Sequence, residues 1–160
     1  MDQKKRILVA VAILVVLVVA VLVIDQLRRS SGQTELAPGS IPIYLDGKLM
    51  GGFAPADLEE MDKVSFTDAE EGKLQEGWLL GDVIGLHVKA SKLEAGSLIT
   101  VSAGEIKSAQ LTWAEVQDPA NWVMFDLSNR GTLKLVSVLD RLDTRDEWVQ
   151  NVDRIEIVSP

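Results

Sequence analysis

The apolar positions of this chain follow two different patterns. From Ile7 to Ile24 it reads ILVAVAILVVLVVAVLVI, 18 positions without a polar side chain. At a rise of about 1.5 Å per residue, such a segment in helical form covers roughly 27 Å, close to the hydrocarbon thickness of a bilayer. The many valines lower helix propensity in water, but in lipid a lone segment satisfies its backbone only as a helix. The pattern predicts one transmembrane helix over residues 7–24. A cleavable signal peptide would show a shorter apolar region of about 7–15 residues closed by small residues, whereas this run closes VLVIDQLRR. A helix in a soluble core would carry a polar stripe, and this one has none.

Beyond the run the pattern breaks into short pieces. SSGQTELAPGS, residues 30–40, has no apolar periodicity, and residues 25–40 read as a juxtamembrane linker. IPIYL and KLMGGF flank Asp46-Gly47, a hairpin signal. Pro55 opens a short helix over 56–61 with Leu58 and Met61 inward. KVSFT (63–67) alternates as a strand does, and the acidic stretch 68–76 reads as a loop. GWLLGDVIGLH (77–87) places Trp78, Leu79, Val83 and Leu86 near helical spacing with Asp82 outward. Strands are expected at 97–103 and 106–111 about Gly104-Glu105. Thr112 and Glu115 have capping-box spacing for a helix that Asp118-Pro119 stops. Strands at 122–127 and 132–138 flank Ser128-Asn129-Arg130-Gly131. Thr144 and Glu147 repeat the capping-box spacing before Trp148, and 154–158 is the last strand. The order predicts an α+β domain over 41–160, a mixed or antiparallel sheet with short helices, preceded by the transmembrane helix.

Charge adds a direction. Lys4, Lys5 and Arg6 precede the apolar run with the N-terminal amine, while Arg28 and Arg29 follow it beyond Asp25. The positive excess places the tail, residues 1–6, in the cytoplasm and the domain outside a cell membrane that the chain crosses once. From Ile41 onward 11 Lys and Arg stand against 21 Asp and Glu, a formal charge of −10. Such a surface is repelled by phosphate backbones, which argues against nucleic-acid binding. The expected partners are membrane lipid, through residues 7–24, and a protein of the cell envelope.

Candidate chemistry is sparse. The chain has no cysteine, hence no lipoprotein anchor, disulfide, thiolate nucleophile, iron–sulfur cluster or sulfur ligand for zinc or molybdenum. His87 is the only histidine and suits the end of a helix, where its positive form meets the carbonyls. There is no G-x-S-x-G elbow. Asp57, Glu59, Glu60 and Asp62 read as a solvated face, and Asp68-Ala69-Glu70-Glu71-Gly72 misses the calcium-loop pattern. Gly51-Gly52 looks like a bulge rather than a phosphate loop. Trp78, Trp113, Trp122 and Trp148 read as core, with a ligand-stacking role open to one of them. Arg130, Lys134, Arg141, Arg145 and Arg154 gather late in the chain. Converging, they would hold an anion; Asp140, Asp143, Asp146 and Asp153 between them offer ordinary surface ion pairs instead. No residue is assigned a catalytic role.

Several segments, in order, resemble the sulfite-oxidase-like, molybdopterin-binding domain. They are IPIYLDGKL, Ala56-Asp57-Leu58, Gly77-Trp78-Leu79-Leu80-Gly81-Asp82-Val83-Ile84, LITVSAG, TWAEVQDPANWVMFDLSNRG, Arg130 to Val136, and Asp146 to Glu156. The likeness spans about 41–160. It implies a reduced version of that fold. Where the family's enzymes ligate molybdenum with a cysteine, this chain has none; Arg130-Gly131 stands for a His-Gly, Lys134 for an arginine and Glu147 for a lysine. Arg130 and Lys134 are the positions that, by this resemblance, would still meet an anionic group of a molybdopterin-type cofactor. Two readings follow: a membrane-anchored extracytoplasmic binding or interaction domain without a catalytic site, and, alternatively, an oxidoreductase-related protein that binds such a cofactor or assists a redox partner.

Overall fold

Alternation of buried and exposed side chains carries much of the chain into strands. A computed structural model describes residues 36–160, which form one compact unit. The tail, the expected transmembrane helix at 7–24 and most of the linker lie outside the described residues. Among the described residues no helix is long and apolar enough to cross a membrane.

The first sheet contains β1 (Ile41–Leu45), β2 (Lys48–Phe53), β5 (Leu98–Ala103), β6 (Lys107–Thr112) and β10 (Arg154–Val158), in the order β2-β1-β10-β5-β6. It is mixed: β1 and β10 run parallel, with Ile43 opposite Ile155, and the other pairs are antiparallel. The second contains β3 (Val64–Thr67), β4 (Leu74–Leu79), β7 (Met124–Leu127), β8 (Leu133–Val136) and β9 (Val149–Gln150), in that order and wholly antiparallel. Two short α-helices, α1 (Leu80–Gly85) and α2 (Trp113–Gln117), and 3-10 turns at Pro55–Leu58, Ala90–Lys92 and Pro119–Asn121 complete the described part. The class is α+β, with two sheets where one was expected.

Local signals explain several boundaries. Asp46 and Gly47 take φ of 51° and 76°, the doubly positive turn that matches the twist of a hairpin. The box at Thr112 forms in both directions: Glu115 N–H donates to Thr112 Oγ1 (3.2 Å), and Thr112 N–H donates to Glu115 Oε2 (2.8 Å).

Other expectations are corrected. The loop expected over 68–76 ends early, because Leu74–Glu76 already belong to β4 and pair with β3. The helix expected over 77–87 is confined to Leu80–Gly85; Trp78 lies in β4 opposite Phe125, and Leu86 is exposed. Pairing of β4 with β7, more than 40 residues away, outweighs a helical pattern that local spacing alone suggests. The helix expected over 56–61 shortens to the 3-10 turn with Leu58 buried. At Thr144 the chain makes only a turn, Trp148 N–H to Thr144 O at 3.2 Å, since Val149 must be extended to pair with Leu135.

Both sheets turn a face to one core. Ile43, Ile99, Val101, Ile155 and Ile157 enter it from the first sheet, and Trp78, Phe125, Leu133, Leu135 and Val149 from the second. The Phe53 and Phe125 rings meet at 6.2 Å. Burying each aliphatic side chain contributes about 1.5–3 kcal/mol. The turn from β9 to β10 ties the sheets together by backbone: Val152 N–H donates to Leu133 O (3.0 Å) and Asp153 N–H to Ser102 O (2.9 Å). A smaller cluster, Met124, Val136 and Trp148 with Val64, Phe66 and Leu79, covers part of the outer face of the second sheet.

That outer face depends on Gly77. A Cβ built there would lie 1.7 Å from the Phe125 carbonyl oxygen, a backbone atom that cannot step aside without moving β7. Gly77→Ala should therefore lower stability by about 2 kcal/mol or more, seen as a lower urea midpoint. Gly96→Ala, whose added methyl would meet nothing closer than Pro160 at 3.9 Å, should leave the midpoint in place.

Candidate functional site

Successive strand side chains point to opposite faces, so register decides which residues share the outer face of the second sheet. Gly77 lies opposite Asp126, Asp126 opposite Lys134, and Lys134 opposite Gln150. Asp126, Lys134 and Gln150 of this row, with Gln75 beside them, form the floor of a cleft of about 450 Å³. Its walls come from Glu71 and Lys73 on the loop before β4, Asn129 and Arg130 on the turn before β8, Arg145 and Trp148 ahead of β9, and Asn151 after it.

Lys134 sits at the centre. Its Nζ lies 3.0 Å from Asp126 Oδ2, donates to Gln75 Oε1 at 2.8 Å and stands over the Trp148 ring at 4.7 Å. The Lys134 and Asp126 side chains are only 20% and 13% exposed. Burial pushes the Asp126 carboxyl above its ordinary value, and the Lys134 ammonium pulls against that shift. Gln75 passes the contact on, its Nε2 donating to Asp68 Oδ2 at 2.9 Å. Asp68 also accepts the N–H groups of Glu71 (2.7 Å) and Lys73 (3.1 Å). Those bonds, the one from Glu71 foremost, hold its carboxyl below the ordinary value although burial opposes them.

The rim is freer. Arg130 stands on a turn pinned by Gly131 N–H to Ser128 O (2.9 Å) and by Thr132 Oγ1 to Asn151 Oδ1 (2.9 Å). No carboxylate among the described residues lies within ion-pairing distance of its guanidinium. The Arg145 guanidinium is 4.0 Å from Glu71, a carboxylate already bonded to Lys73. The cleft thus gathers four cations, Lys73, Arg130, Lys134 and Arg145, against two carboxylates, Glu71 and Asp126, a formal excess of +2. The whole of 41–160 carries −10.

Of the five late basic residues, the structure brings Arg130, Lys134 and Arg145 to this cleft and sends two elsewhere. Arg141 binds Glu115 (2.7 Å), and Arg154 binds Glu156 on the first sheet and covers the Tyr44 ring at 4.5 Å. His87 is remote from the row, exposed and packed over Gly51, where a Cβ would come within 2.3 Å of its Nδ1. No group of three His, Cys, Asp or Glu able to hold one metal ion occurs among the described residues. The hydroxyls of Ser128 and Thr132 bond each other at 2.8 Å, with no general base in the cleft's lining apart from its paired carboxylates. The cationic side chains of the lining are chemically suited to contact a negatively charged group.

Sequence reasoning passed over Lys73, Gln75 and Asp126 as members of the site. For Asp126 a signal existed: counting outward from the turn at 128–132 pairs Leu127 with Leu133 and then Asp126 with Lys134. No family model matches the chain, and no curated protein matches it.

Asp68 anchors the wall of the cleft, and its removal should be felt as lost stability. Asp68→Asn is expected to cost about 2 kcal/mol at pH 7, since an amide nitrogen would face donors that now find a carboxylate. A depressed carboxyl stabilises the fold fully above its ordinary value of 3.8, and the benefit is lost as pH falls through the lower folded value. The difference between wild type and variant in urea unfolding should accordingly hold above about pH 4 and shrink below it.

Proposed function

We propose that this chain is a single-pass protein of the cell membrane, with residues 1–6 in the cytoplasm, a helix at 7–24 and a binding domain outside. The observation that carries the binding reading is the cleft on the outer face of the second sheet. It joins four cations, several amide and hydroxyl side chains and a partly buried ion pair on a domain otherwise rich in carboxylates. The apolar run supports the anchor, and the positive residues before it support the orientation. The partner on this reading is a component of the cell envelope that presents an acidic group to the cleft.

The alternative, an oxidoreductase-related protein holding a molybdopterin-type cofactor or assisting a redox partner, draws on the resemblance and on the meeting of Arg130 and Lys134 in one cleft. The donor set fits it poorly. Arg130 is available to an anionic group, but Lys134 is already engaged by Asp126 and Gln75, and the chain has no sulfur ligand for the metal. No redox step is derived from it.

Two measurements test the main reading. In intact cells the full chain should stay in the membrane pellet through an alkaline carbonate wash, and a C-terminal tag should be cut by protease added outside. A washed-out or protected domain would overturn the anchor or its direction. A photo-crosslinker placed at Asn129 should capture an envelope partner, and the Arg130→Glu, Arg145→Glu double variant should abolish that product. Purified full chain carrying a pterin would instead favour the alternative.

A further inference from the structure

We propose that the cleft takes an oxyanion, a carboxylate or phosphate group of its ligand, between Arg130 and Arg145, and that Asp126 sets the affinity by holding or releasing Lys134. The proposal rests on the binding reading above and gives that site a ligand chemistry and a control.

The oxyanion follows from which cations have spare donors. A guanidinium offers a planar fork that matches two oxygens of a carboxylate or phosphate. Arg130 meets no carboxylate among the described residues, and the Arg145 guanidinium meets only a distant edge of Glu71, whose other partner is Lys73, while the Arg145 backbone N–H donates to Glu70 Oε2 at 2.8 Å. Both line the same cleft, with the Asn129 and Asn151 amides beside them. Arg141 shows what a satisfied arginine looks like in this protein, with one nitrogen 2.7 and 2.8 Å from the two Glu115 oxygens.

The control follows from the floor. With Asp126 ionised, the Lys134 charge is matched at 3.0 Å and the cleft's excess is +2. When Asp126 takes a proton, that partner becomes neutral and the same ammonium adds its full charge to the cleft. The charged groups that act on Asp126 are Lys134 from β8, Glu76 from β4 and Lys63 just ahead of β3. Glu76 favours protonation, and Lys134 and Lys63 oppose it. Burial outweighs them and places this carboxyl above its ordinary value, while the Asp68 carboxyl, behind Gln75, lies below its own. On acidification Asp126 therefore protonates before Asp68, so Lys134 gains charge while Gln75 and the wall of the cleft keep their hold. Linkage makes the effect reciprocal: an anion in the cleft draws a proton onto Asp126.

Sulfate is a suitable probe because it remains a dianion from about pH 4 upward, through the range where a carboxyl raised above its ordinary value takes its proton. It is titrated into the full chain in a non-ionic detergent at fixed ionic strength and followed by amide and indole NMR shifts. Shifts should cluster at Lys73, Arg130, Arg145 and the Trp148 indole, and sulfate should bind about fivefold or more tightly once Asp126 is protonated than at pH 7.5. In Asp126→Asn the affinity at pH 7.5 should rise to the limiting low-pH value of the wild type and the pH dependence should vanish. Lys134→Gln should lose the gain at low pH, and Arg130→Ala with Arg145→Ala should lose binding at both. Opposite responses of this kind cannot arise from misfolding. His87→Gln, a control at the chain's one histidine, should behave as wild type.

Acetate and phosphate compared at pH 7.5 assign the group: the tighter of the two names the chemistry, and binding of neither overturns the site. A pH-independent wild-type affinity, an unchanged pH dependence in Asp126→Asn, or shifts confined to sites outside the cleft would each overturn the proposal. Failure here with the Asn129 crosslink intact would leave the binding reading standing without its oxyanion. Sulfate binding without a crosslinked partner would have the reverse meaning.

Discussion

An ammonium taken mostly out of water must be given partners, because an unpaired buried charge costs far more than its site can return. Lys134 imposes that condition on the second sheet. Its Nζ is met by Asp126 from the neighbouring strand and by Gln75 one strand further on. Gln75 then needs Asp68, and Asp68 closes the loop that forms one wall of the cleft. Three strands and a loop are thus placed by one side chain. The register has little freedom either. A slip by one residue between β7 and β8 would turn Lys134 into the core and bring Leu133 or Leu135 to the surface.

The same face shows why the cleft is polar where it is. Toward one end, Leu79, Met124, Val136 and Trp148 pack with Val64 and Phe66 into the smaller apolar cluster. Toward the other, the Asp126–Lys134–Gln150 row replaces it. Trp148 belongs to both, buried against the apolar cluster while its ring receives the Lys134 cation. A cation over an indole is attracted by the ring's quadrupole, an interaction of about 0.5–2 kcal/mol that grows as water is excluded. The apolar cluster therefore fixes the depth at which the polar row lies.

The parts of the fold legible in sequence were those whose cause is local. Asp46-Gly47 makes its turn and Thr112 its cap because the deciding atoms lie within four residues. Trp78 and Leu79 were misplaced on a helix because what makes them a strand is Phe125 and Met124, distant in sequence. The second T-x-x-E spacing, at Thr144, shows the limit of a motif, since strand pairing at Val149 outweighs it. The site divides in the same way. Arg130 and Lys134 stood out as scarce positive residues in an acidic chain, but scarcity did not separate Arg145 from Arg141 or Arg154. Asp126 was one of 21 acidic residues beyond Ile41, and Gln75 is uncharged; only register reveals either.

The contrast between the domain and its cleft bears on the size of the group it can accept. Charges separated by more than about 8 Å are largely screened at physiological salt, so the formal −10 acts chiefly on ligands that spread their own negative charge along the surface. A polyanion laid across this domain would meet its carboxylates, among them Glu59, Glu60, Asp140 and Glu156, as well as the cleft. A single oxyanion entering between Arg130 and Arg145 meets the local +2 instead. On the proposed reading, acidity elsewhere disfavours extended polyanions while leaving one small opening of the opposite sign. Asp126 lies beneath that opening with Lys134 beside it, so on the proposed reading a proton gained there raises the opening's charge.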